Sequence, residues 1–409
     1  MLRSLQHSLH LKYSLFPKKL KWLFFGHLTR TIADQAIGLF IPLFLFARAQ
    51  EIAFFNSGPL AGLTELQRGI VLIGAYYFTS HFGELFLVIP LTKLMKQLGL
   101  VRSMIVGNLL NIVLYLLLFA AQSHPWALAC AAVLDGIVTA MYWIPYYTEF
   151  AVQADMKQIG SDVGGMQFME QLLRAAMPML GGLLIMSFGF GSSYLTAAFL
   201  YLVASIMLLF IPEVKFSYEV TFKELKSWWQ KKSFLPTVIG FAGKYVDDSS
   251  FLIWPLFIFL FLGNIARVGY VYSIVLFISL IISYFMGWYL GKHRGNKLFF
   301  FSGAAIGILW VFRAFIGKVW QLLVVDTTDR LMLTIYTPIF ETYFMRKSLG
   351  KRVFHFHAYR EMVISYFALF FWPIAVGLFM LPFGWTGLFI FASIGVFLSM
   401  FMKGKSVDV

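Results

Sequence analysis

The sequence predicts an all-α membrane protein with twelve transmembrane helices in two parallel-repeat six-helix bundles. Three observations predict this fold: the apolar composition, a regular series of long apolar segments, and motifs that recur in the second half of the chain. Hydrophobic residues make up 60% of the 409 positions and charged residues 13%, whereas soluble domains have about 45–50% and about 25%. So much apolar surface is stable only where part of the solvent is lipid.

Twelve segments of the chain are long enough to cross a membrane, which takes about 20 mainly apolar residues. The first is expected to remain in the protein as a helix, because a signal peptide has a shorter apolar core and a cleavage site. Numbered as spans 1 to 12, the segments cover residues 22–46, 70–90, 104–121, 126–150, 164–188, 194–211, 237–262, 269–290, 298–316, 320–344, 358–381 and 385–402.

Lysine and arginine are distributed unevenly over the loops between these spans. Of the 33 basic residues, 23 lie on the side of the two termini and 4 lie in the opposite loops. Because positive charge concentrates on the cytoplasmic side of membrane proteins, both termini are expected in the cytoplasm. The same loops account for the net charge of +14. We expect them to meet anionic membrane lipids, and nucleic acid is not an expected partner.

The longest cytoplasmic connection divides the chain near its midpoint. It covers residues 213–236 and contains five lysines and three glutamates. We interpret it as a linker between two bundles of helices. The predicted organisation is a cytoplasmic N-terminal segment (1–21), an N-terminal six-helix bundle (22–212), the linker, a C-terminal six-helix bundle (237–403) and a C-terminal tail (404–409).

Two motifs recur in the same order in the two halves. Asp34 in span 1 and Asp247 in span 7 are each followed by a proline eight residues later. A pattern of proline, glycine, leucine, phenylalanine and glycine in span 5, over residues 178–189, returns in span 11 over residues 373–384. Corresponding motifs face the same side of the membrane because the halves are six spans apart. The repeat is therefore parallel, with its axis along the membrane normal.

Two segments carry a resemblance to a known family. Residues 287–297 are similar to a loop signature of the major facilitator superfamily of secondary transporters, in which basic residues surround a glycine. Residues 178–182 resemble the end of that family's antiporter signature. The resemblance covers roughly residues 20–403. It implies a transporter that works by alternating access, with spans 1, 4, 7 and 10 around a central cavity.

Acidic residues near the centres of four spans are the strongest functional signal in the sequence. An ionised side chain at mid-membrane costs at least about 2.5–3.5 kcal/mol, so such residues are placed for a reason. Asp34, Asp135, Asp247 and Asp329 fall within about three residues of the centres of spans 1, 4, 7 and 10, or within about 5 Å of the midplane. We expect these four acids around one water-filled opening.

Roles follow from the chemistry of these groups. We predict that Asp34 and Asp247 are the proton-coupling carboxylates, since coupling requires a group that titrates. Arg30 and Lys244 would tune these acids or compete for them. The residues predicted to bind a small-molecule substrate are Arg30, Asp135, Tyr142, Tyr146, Glu170, Arg174, Lys244, Asp248, Asp326, Asp329 and Arg330.

Structural alternatives stay open for many of these residues. Basic and acidic residues four positions apart lie on one helix face and can neutralise each other. Arg330 can neutralise either acid that precedes it in span 10, and the two tyrosines can anchor span 4 at the membrane interface. The pairs at the spacing of four are Arg30 with Asp34, Glu170 with Arg174, and Lys244 with Asp248.

Other polar residues inside or beside the spans are interpreted as structural. His81 and Glu84 lie in span 2, where a lone histidine in an apolar helix is typical of a hydrogen-bonded structural residue. Glu149 and Glu341 end spans 4 and 10, and we expect them to solvate a rim or to pair with basic residues of the loops. The one cysteine, Cys130, excludes an internal disulfide and a cysteine-based metal site.

The predicted function is secondary active transport, specifically proton-coupled export of small amphipathic or cationic molecules. An uptake symporter and a lipid flippase are alternatives within the same fold. A membrane-embedded enzyme that acts on a lipid is the alternative from another class, in which Asp326 and Asp329 would hold a divalent cation. For the transporter we expect H⁺ as coupling ion, no cofactor, no resident metal, a monomer, and a location in the plasma (inner) membrane of a bacterium or archaeon.

Overall fold

A computed structural model describes residues 21–53, 60–153, 159–213, 220–229, 231–290, 295–348 and 352–402. Within these ranges all regular secondary structure is helical. The helices are α1 (Lys21–Ala36), α2 (Ile41–Glu51), α3 (Glu65–Leu98), α4 (Leu100–Ala120), α5 (Trp126–Gln153), α6 (Ile159–Leu208), α7 (Phe222–Trp229), α8 (Leu235–Leu262), α9 (Ile265–Leu290), α10 (Gly295–Phe312), α11 (Val319–Ser348), α12 (Val353–Met380) and α13 (Gly384–Ser399).

The repeated acid–proline motif lies in a broken helix in the first half and in a continuous helix in the second half. In the first half the helix breaks after α1, and a single 3₁₀ turn over Gly38–Phe40 leads into α2, which has Pro42 in its first turn. Proline fits there because its missing N–H would be unpaired in any case. In the second half α8 continues through Pro255. The break therefore leaves Asp34 close to a helix end, whereas Asp247 lies inside a helix.

Nine helical segments in the described part of the chain are long and apolar enough to cross a membrane. Predicted spans 5 and 6 lie in one helix, α6, which bends at Gly189, where φ is 77°. Span 8 lies in α9, where the described apolar stretch is shorter, Ile265–Ile281. Span 10 lies in α11 and is not among the nine, because its interior carries too much charge. The charged residues in that interior are Asp326, Asp329, Arg330 and Glu341.

A carboxylate joins the start of the linker to the turn between α3 and α4. Gly99 forms this turn with φ at +95°, which favours glycine. The Glu213 side chain accepts hydrogen bonds from the backbone N–H groups of Val101 and Arg102 at 3.1 and 3.0 Å. A carboxylate is favoured at a helix N-terminus, where unpaired N–H groups give a positive end. This end of the bundle, next to α7, is called the linker end below, and the opposite end is called the far end.

The two halves, α1 to α6 and α8 to α13, meet mainly where α6 packs on α9 and α3 packs on α12. At the far end the ring of Phe46 lies 6.4 Å from the ring of Phe259, centroid to centroid. There the Gln67 side chain also donates a hydrogen bond to the carbonyl of Phe379 at 3.0 Å. The halves are thus packed together at the far end.

Close helix packing inside the first half predicts the effect of one substitution. A Cβ atom added to Gly136 of α5 would lie 2.1 Å from the backbone oxygen of Ser80 in α3, so the helices would have to separate. We expect Gly136→Ala to destabilise the protein by about 1–3 kcal/mol, as overpacking does. The measurement is the melting temperature in detergent. Gly377→Ala is the control, because nothing lies within 4 Å of its added Cβ. An unchanged melting temperature for Gly136→Ala would contradict this packing.

Candidate functional site: a charged cavity between the halves

A cavity of about 380 Å³ lies between the two halves. The first half contributes α1, α5 and α6 to its wall, and the second half contributes α8, α9 and α11. Its residues come from the parts of these helices that run from their middle to the linker end. The volume is in the range of about 300–1,000 Å³ that is usual for small-molecule sites. This space is called the central cavity below.

Three residues form an ion cluster on the first-half wall of the central cavity. The Nε2 atom of His27 lies 3.1 Å from a Glu170 oxygen, and Arg174 donates to the other Glu170 oxygen at 3.2 Å. The Nδ1 atom of His27 contacts the hydroxyl of Tyr142 at 3.0 Å, and its ring stacks on Tyr146 at 4.3 Å between centroids. The predicted residues Glu170, Arg174 and Tyr146 therefore line the cavity, while Tyr142 lies behind His27.

The second-half wall has a lysine between two carboxylates. The Nζ atom of Lys244 lies 3.1 Å from an Asp247 oxygen and 2.5 Å from an Asp248 oxygen. Asp247 is buried and also accepts a hydrogen bond from the indole of Trp310 at 2.8 Å, whereas the Asp248 side chain is 63% exposed. All three charged residues line the central cavity. Asp248 is the carboxylate of this group that is most open to an incoming molecule.

One face of α11 contributes two further charged residues to the cavity. The guanidinium of Arg330 lies 4.1 Å from the centre of the Phe251 ring. Glu341 follows eleven residues later, which is three helical turns, so both residues face the same way about 16 Å apart along the axis. Thr334 and Thr337 lie between them on the cavity wall. Within the described ranges neither charged residue makes an ion pair. Glu341 lines the cavity, whereas a rim position or a pair with basic residues of the loops was expected.

A second ion cluster is buried behind the second-half wall. The guanidinium of Arg313 lies 3.2 Å from Asp326 and 3.1 Å from Asp329, and its side chain is 0% exposed. It lies over the indole of Trp310 at 4.0 Å, and the indole of Trp254 donates to Asp326 at 2.9 Å. The sequence suggested Arg330 as the neutralising base, but the base in contact is Arg313. Because the two acids already share a guanidinium, they do not form the divalent cation site of the enzyme hypothesis.

Asp34 and Arg30 lie within the first half. The Arg30 Nε atom is 3.4 Å from Asp34, and Tyr201 donates to the same carboxylate at 2.5 Å. The Arg30 guanidinium also donates to Asn108 at 3.3 Å and lies 3.8 Å from the centre of the Tyr142 ring. Every one of these partners belongs to the first half. Arg30 and Asp34 are thus held together and are not on the wall of the central cavity.

Asp135 lies apart from both ion clusters. Its carboxylate accepts a hydrogen bond from the Ser80 hydroxyl at 2.9 Å, on the side of α5 that faces α3. The structure therefore divides the four acids that were expected around one opening. Asp247 lines the central cavity, whereas Asp34, Asp135 and Asp329 are not among the residues of its wall.

Two residues of the ion clusters were missed in the sequence. His27 precedes Asp34 by seven residues in span 1, and Arg313 lies near the end of span 9. Arg313 offered a signal, because it is a basic residue inside a span that has no acid of its own to pair with. His27 offered little, because its partners Glu170 and Tyr142 are distant in the chain.

A sequence profile and several solved structures indicate the same family for this chain. The sequence profile described as Major Facilitator Superfamily matches residues 23–348. The crystal structure of the human organic anion transporter MFSD10 (TETRAN) is similar, with a TM-score of 0.68 and 13% identity over 94% of this chain and 98% of that chain. The transporter FucP in the outward conformation gives 0.66 and 12% identity over 95% and 98%.

A variant of the E. coli fucose:proton symporter FucP gives a TM-score of 0.64 and 12% identity over 94% of this chain and 97% of that chain. Comparison with curated protein sequences finds no significant match.

A helical bundle of many apolar spans with a charged cavity between two halves defines a membrane transporter. The profile covers most of the chain, so the protein belongs to the Major Facilitator Superfamily. It is a multi-pass secondary transporter and not an enzyme.

The buried cluster around Arg313 predicts a large effect on stability. Arg313→Met leaves Asp326 and Asp329 without their counter-charge, and breaking a buried ion pair in this way costs about 3–5 kcal/mol. We expect a much lower melting temperature in detergent, or loss of folded protein. Adding Asp326→Asn and Asp329→Asn removes the uncompensated charge and should restore part of the stability. A single variant as stable as the wild type would show that the cluster does not hold these helices together.

Proposed function

We propose that this secondary transporter is a proton-coupled exporter of small amphipathic molecules that carry a positive charge, either cations or zwitterions. The observation that carries the proposal is the wall of the central cavity, where aromatic rings alternate with charged groups of both signs. Such a wall fits an organic molecule with an apolar body and charged ends. Aromatic faces in the cavity, such as those of Trp143 and Tyr146, are suited to an organic cation.

The balance of charges in the central cavity supports a positively charged group on the substrate. Four carboxylates line it, against three bases of fixed charge and His27. Lys244 and Arg174 are already engaged by neighbouring acids. Arg330 and Glu341 are then the groups that are open to pair with a substrate. Their separation on one face of α11 suits a molecule with an acidic and a basic end.

Asp247 is the proposed coupling acid in the central cavity, and Asp34 is the proposed coupling acid in the first half. Asp247 shares Lys244 with Asp248, so a proton on Asp247 would leave Lys244 to Asp248 alone. A cation that approaches Asp248 would then meet a neutralised carboxylate. This arrangement makes protons and cationic substrates compete, which is what an antiporter requires.

Export is supported by the similarity of residues 178–182 to the antiporter signature, since Pro178 lines the central cavity. We further propose twelve spans with both termini in the cytoplasm, on the basis of the loop charges. The central cavity is formed within one chain, which supports a monomer. The proposed location is the plasma (inner) membrane.

The direction of transport can be tested in oriented vesicles. Imposing the pH gradient in either direction separates export from uptake by the sign of the substrate flux.

Neutralising the coupling acids should uncouple the transporter. We expect Asp247→Asn and Asp34→Asn to abolish proton-driven flux in proteoliposomes that have an imposed pH gradient and a pH-sensitive dye. Exchange of labelled for unlabelled substrate without a gradient should persist, because the proton step is bypassed. Glu51→Gln, at the exposed end of α2, is the control and should behave as the wild type. If both Asn variants retain proton-driven flux, the coupling assignment is wrong.

The two charged residues on α11 should select opposite ends of the substrate. Losing a hydrogen bond to a charged group costs about 1.5–3 kcal/mol, or roughly ten- to a hundredfold in affinity. We expect Glu341→Gln to weaken binding of cations and zwitterions, and Arg330→Gln to weaken zwitterions while cations still bind. The measurement is thermal stabilisation by a panel of amphipathic cations, anions and zwitterions. Equal effects of both variants on every class would contradict the assignment.

A further inference from the structure

A second polar cluster joins the two halves outside the lining of the central cavity. It lies where α3 packs on α12, and this contact is called the seam below. At the seam the Tyr77 ring stacks on Trp372 at 4.9 Å, and the indole of Trp372 donates to the Tyr245 hydroxyl at 2.9 Å. The ring of His81 packs edge-on against Tyr245 at 5.1 Å. Polar groups from α3, α8 and α12 therefore meet at mid-length of the bundle.

Glu84 is the acid at the centre of the seam, and it is 0% exposed. One of its oxygens accepts a hydrogen bond from the Ser365 hydroxyl of the other half at 2.7 Å and lies 3.0 Å from the Nδ1 atom of His81. The second oxygen, Oε1, is buried and has no hydrogen-bond partner among the described residues. A buried carboxylate with an unpaired oxygen is costly in the ionised form, because it has lost water without full compensation.

The groups around Glu84 do not supply the missing counter-charge. On its own helix the titratable neighbour is His81, and α8 presents the hydroxyl of Tyr245. On α5, Asp135 lies close enough to Glu84 for the two charges to interact. On α12, Glu361 also interacts with Glu84, and it is already paired with Arg360 at 2.6 Å. Three bases thus act on these three carboxylates, namely His81, Arg360 and Arg30, and Arg30 is already paired with Asp34. A proton binds a single carboxylate and would reduce the negative charge at this place.

We propose that Glu84 and His81 form a proton-binding site at the seam, separate from the coupling acids of the central cavity. Proton binding would neutralise a carboxylate that is fully buried and whose Oε1 atom has no hydrogen-bond partner among the described residues. When the proton leaves, the carboxylate needs water, and water reaches it when α3 and α12 move apart. Proton binding at Glu84 therefore favours the state in which the halves are closed at the far end. The role of this site in a transport cycle rests on the proposed proton-coupled function, but its effect on conformation does not.

The test measures the distance between the halves without substrate and without a gradient. Spin labels are attached at Ser123→Cys in the first half and Lys318→Cys in the second, both exposed at the far end. The exposed Cys130 is first replaced by serine. Pulsed electron paramagnetic resonance then gives the distance distribution in detergent between about pH 5 and 8, the range in which histidine and buried carboxylates titrate. We expect short distances at acidic pH and a growing long-distance population as the pH rises.

Glu84→Gln copies the shape of the protonated acid and should hold the short distance over the whole pH range. Ser365→Ala removes the donor from the other half but keeps the acid, so it should increase the long-distance population at each pH. The matched control is Glu65→Gln, at the start of the same helix and away from the seam, which should respond to pH as the wild type does. If Glu84→Gln unfolds, the pH midpoint of Ser365→Ala decides the question: a midpoint that differs from that of the wild type supports the seam site, and an unchanged midpoint overturns it.

Each outcome distinguishes this site from the proposed function. A wild-type distance that does not change with pH overturns the seam site. A pH response that Asp247→Asn abolishes and Glu84→Gln leaves intact also overturns it, while the proposed coupling stands. A response that is lost in Glu84→Gln supports the seam site, even if the wild type shows no proton-driven flux. In that last case the proposed coupling fails and the seam site remains as a pH-controlled contact between the halves.

Discussion

The constraint on which the rest of this structure depends is that a buried charge needs a partner that compensates for the loss of water. Arg313 illustrates it, because its fully buried guanidinium lies against Asp326 and Asp329 of α11. Removing water from these groups costs several kcal/mol per ion, and the attraction repays it only where geometry and hydrogen bonding are good. Trp254 and Trp310 extend the cluster to α8 through hydrogen bonds. The helices of the second half are therefore fixed relative to one another by charge as well as by apolar packing.

The two halves satisfy this constraint in different ways, although their sequences repeat. In the first half one base, Arg30, faces one acid, Asp34, and neutral groups complete the contacts. In the second half two bases each serve two acids, since Lys244 lies between Asp247 and Asp248 and Arg313 contacts Asp326 and Asp329. A base that is shared can change partner when one acid gains a proton or meets a substrate. The capacity to exchange charge is thus concentrated on the second-half wall of the central cavity.

The sequence predicted what depends on spacing along the chain. Arg30 with Asp34, Glu170 with Arg174, and Lys244 with Asp248 are in contact because residues four apart share a helix face. The family followed from loop motifs and the repeat, and the profile match confirms it. The contacts of His27 and Ser365 were not predictable, because each depends on how helices distant in sequence cross. Arg313 offered a signal, but its pairing with both Asp326 and Asp329 depends on how the end of α10 packs against α11. The break after Asp34 was also not predictable, since Pro255 at the equivalent position leaves α8 continuous.

Location decides which acid can sense the movement of the halves. A proton shifts an equilibrium between two states only if it binds them with different affinity. Asp34 contacts Arg30 and Tyr201, which belong to its own half, so a rigid-body movement of the halves leaves these two contacts unchanged. Asp247 also contacts its own half, but it lines the central cavity, so its hydration changes when the cavity opens or fills. Glu84 is hydrogen-bonded to Ser365 of the opposite half, so any separation of α3 from α12 alters its surroundings directly. By this criterion Glu84 has the most direct link to the conformational state. Asp247 has a link through water and substrate. Asp34 requires a rearrangement within the first half, for which the helix break after α1 is the available hinge.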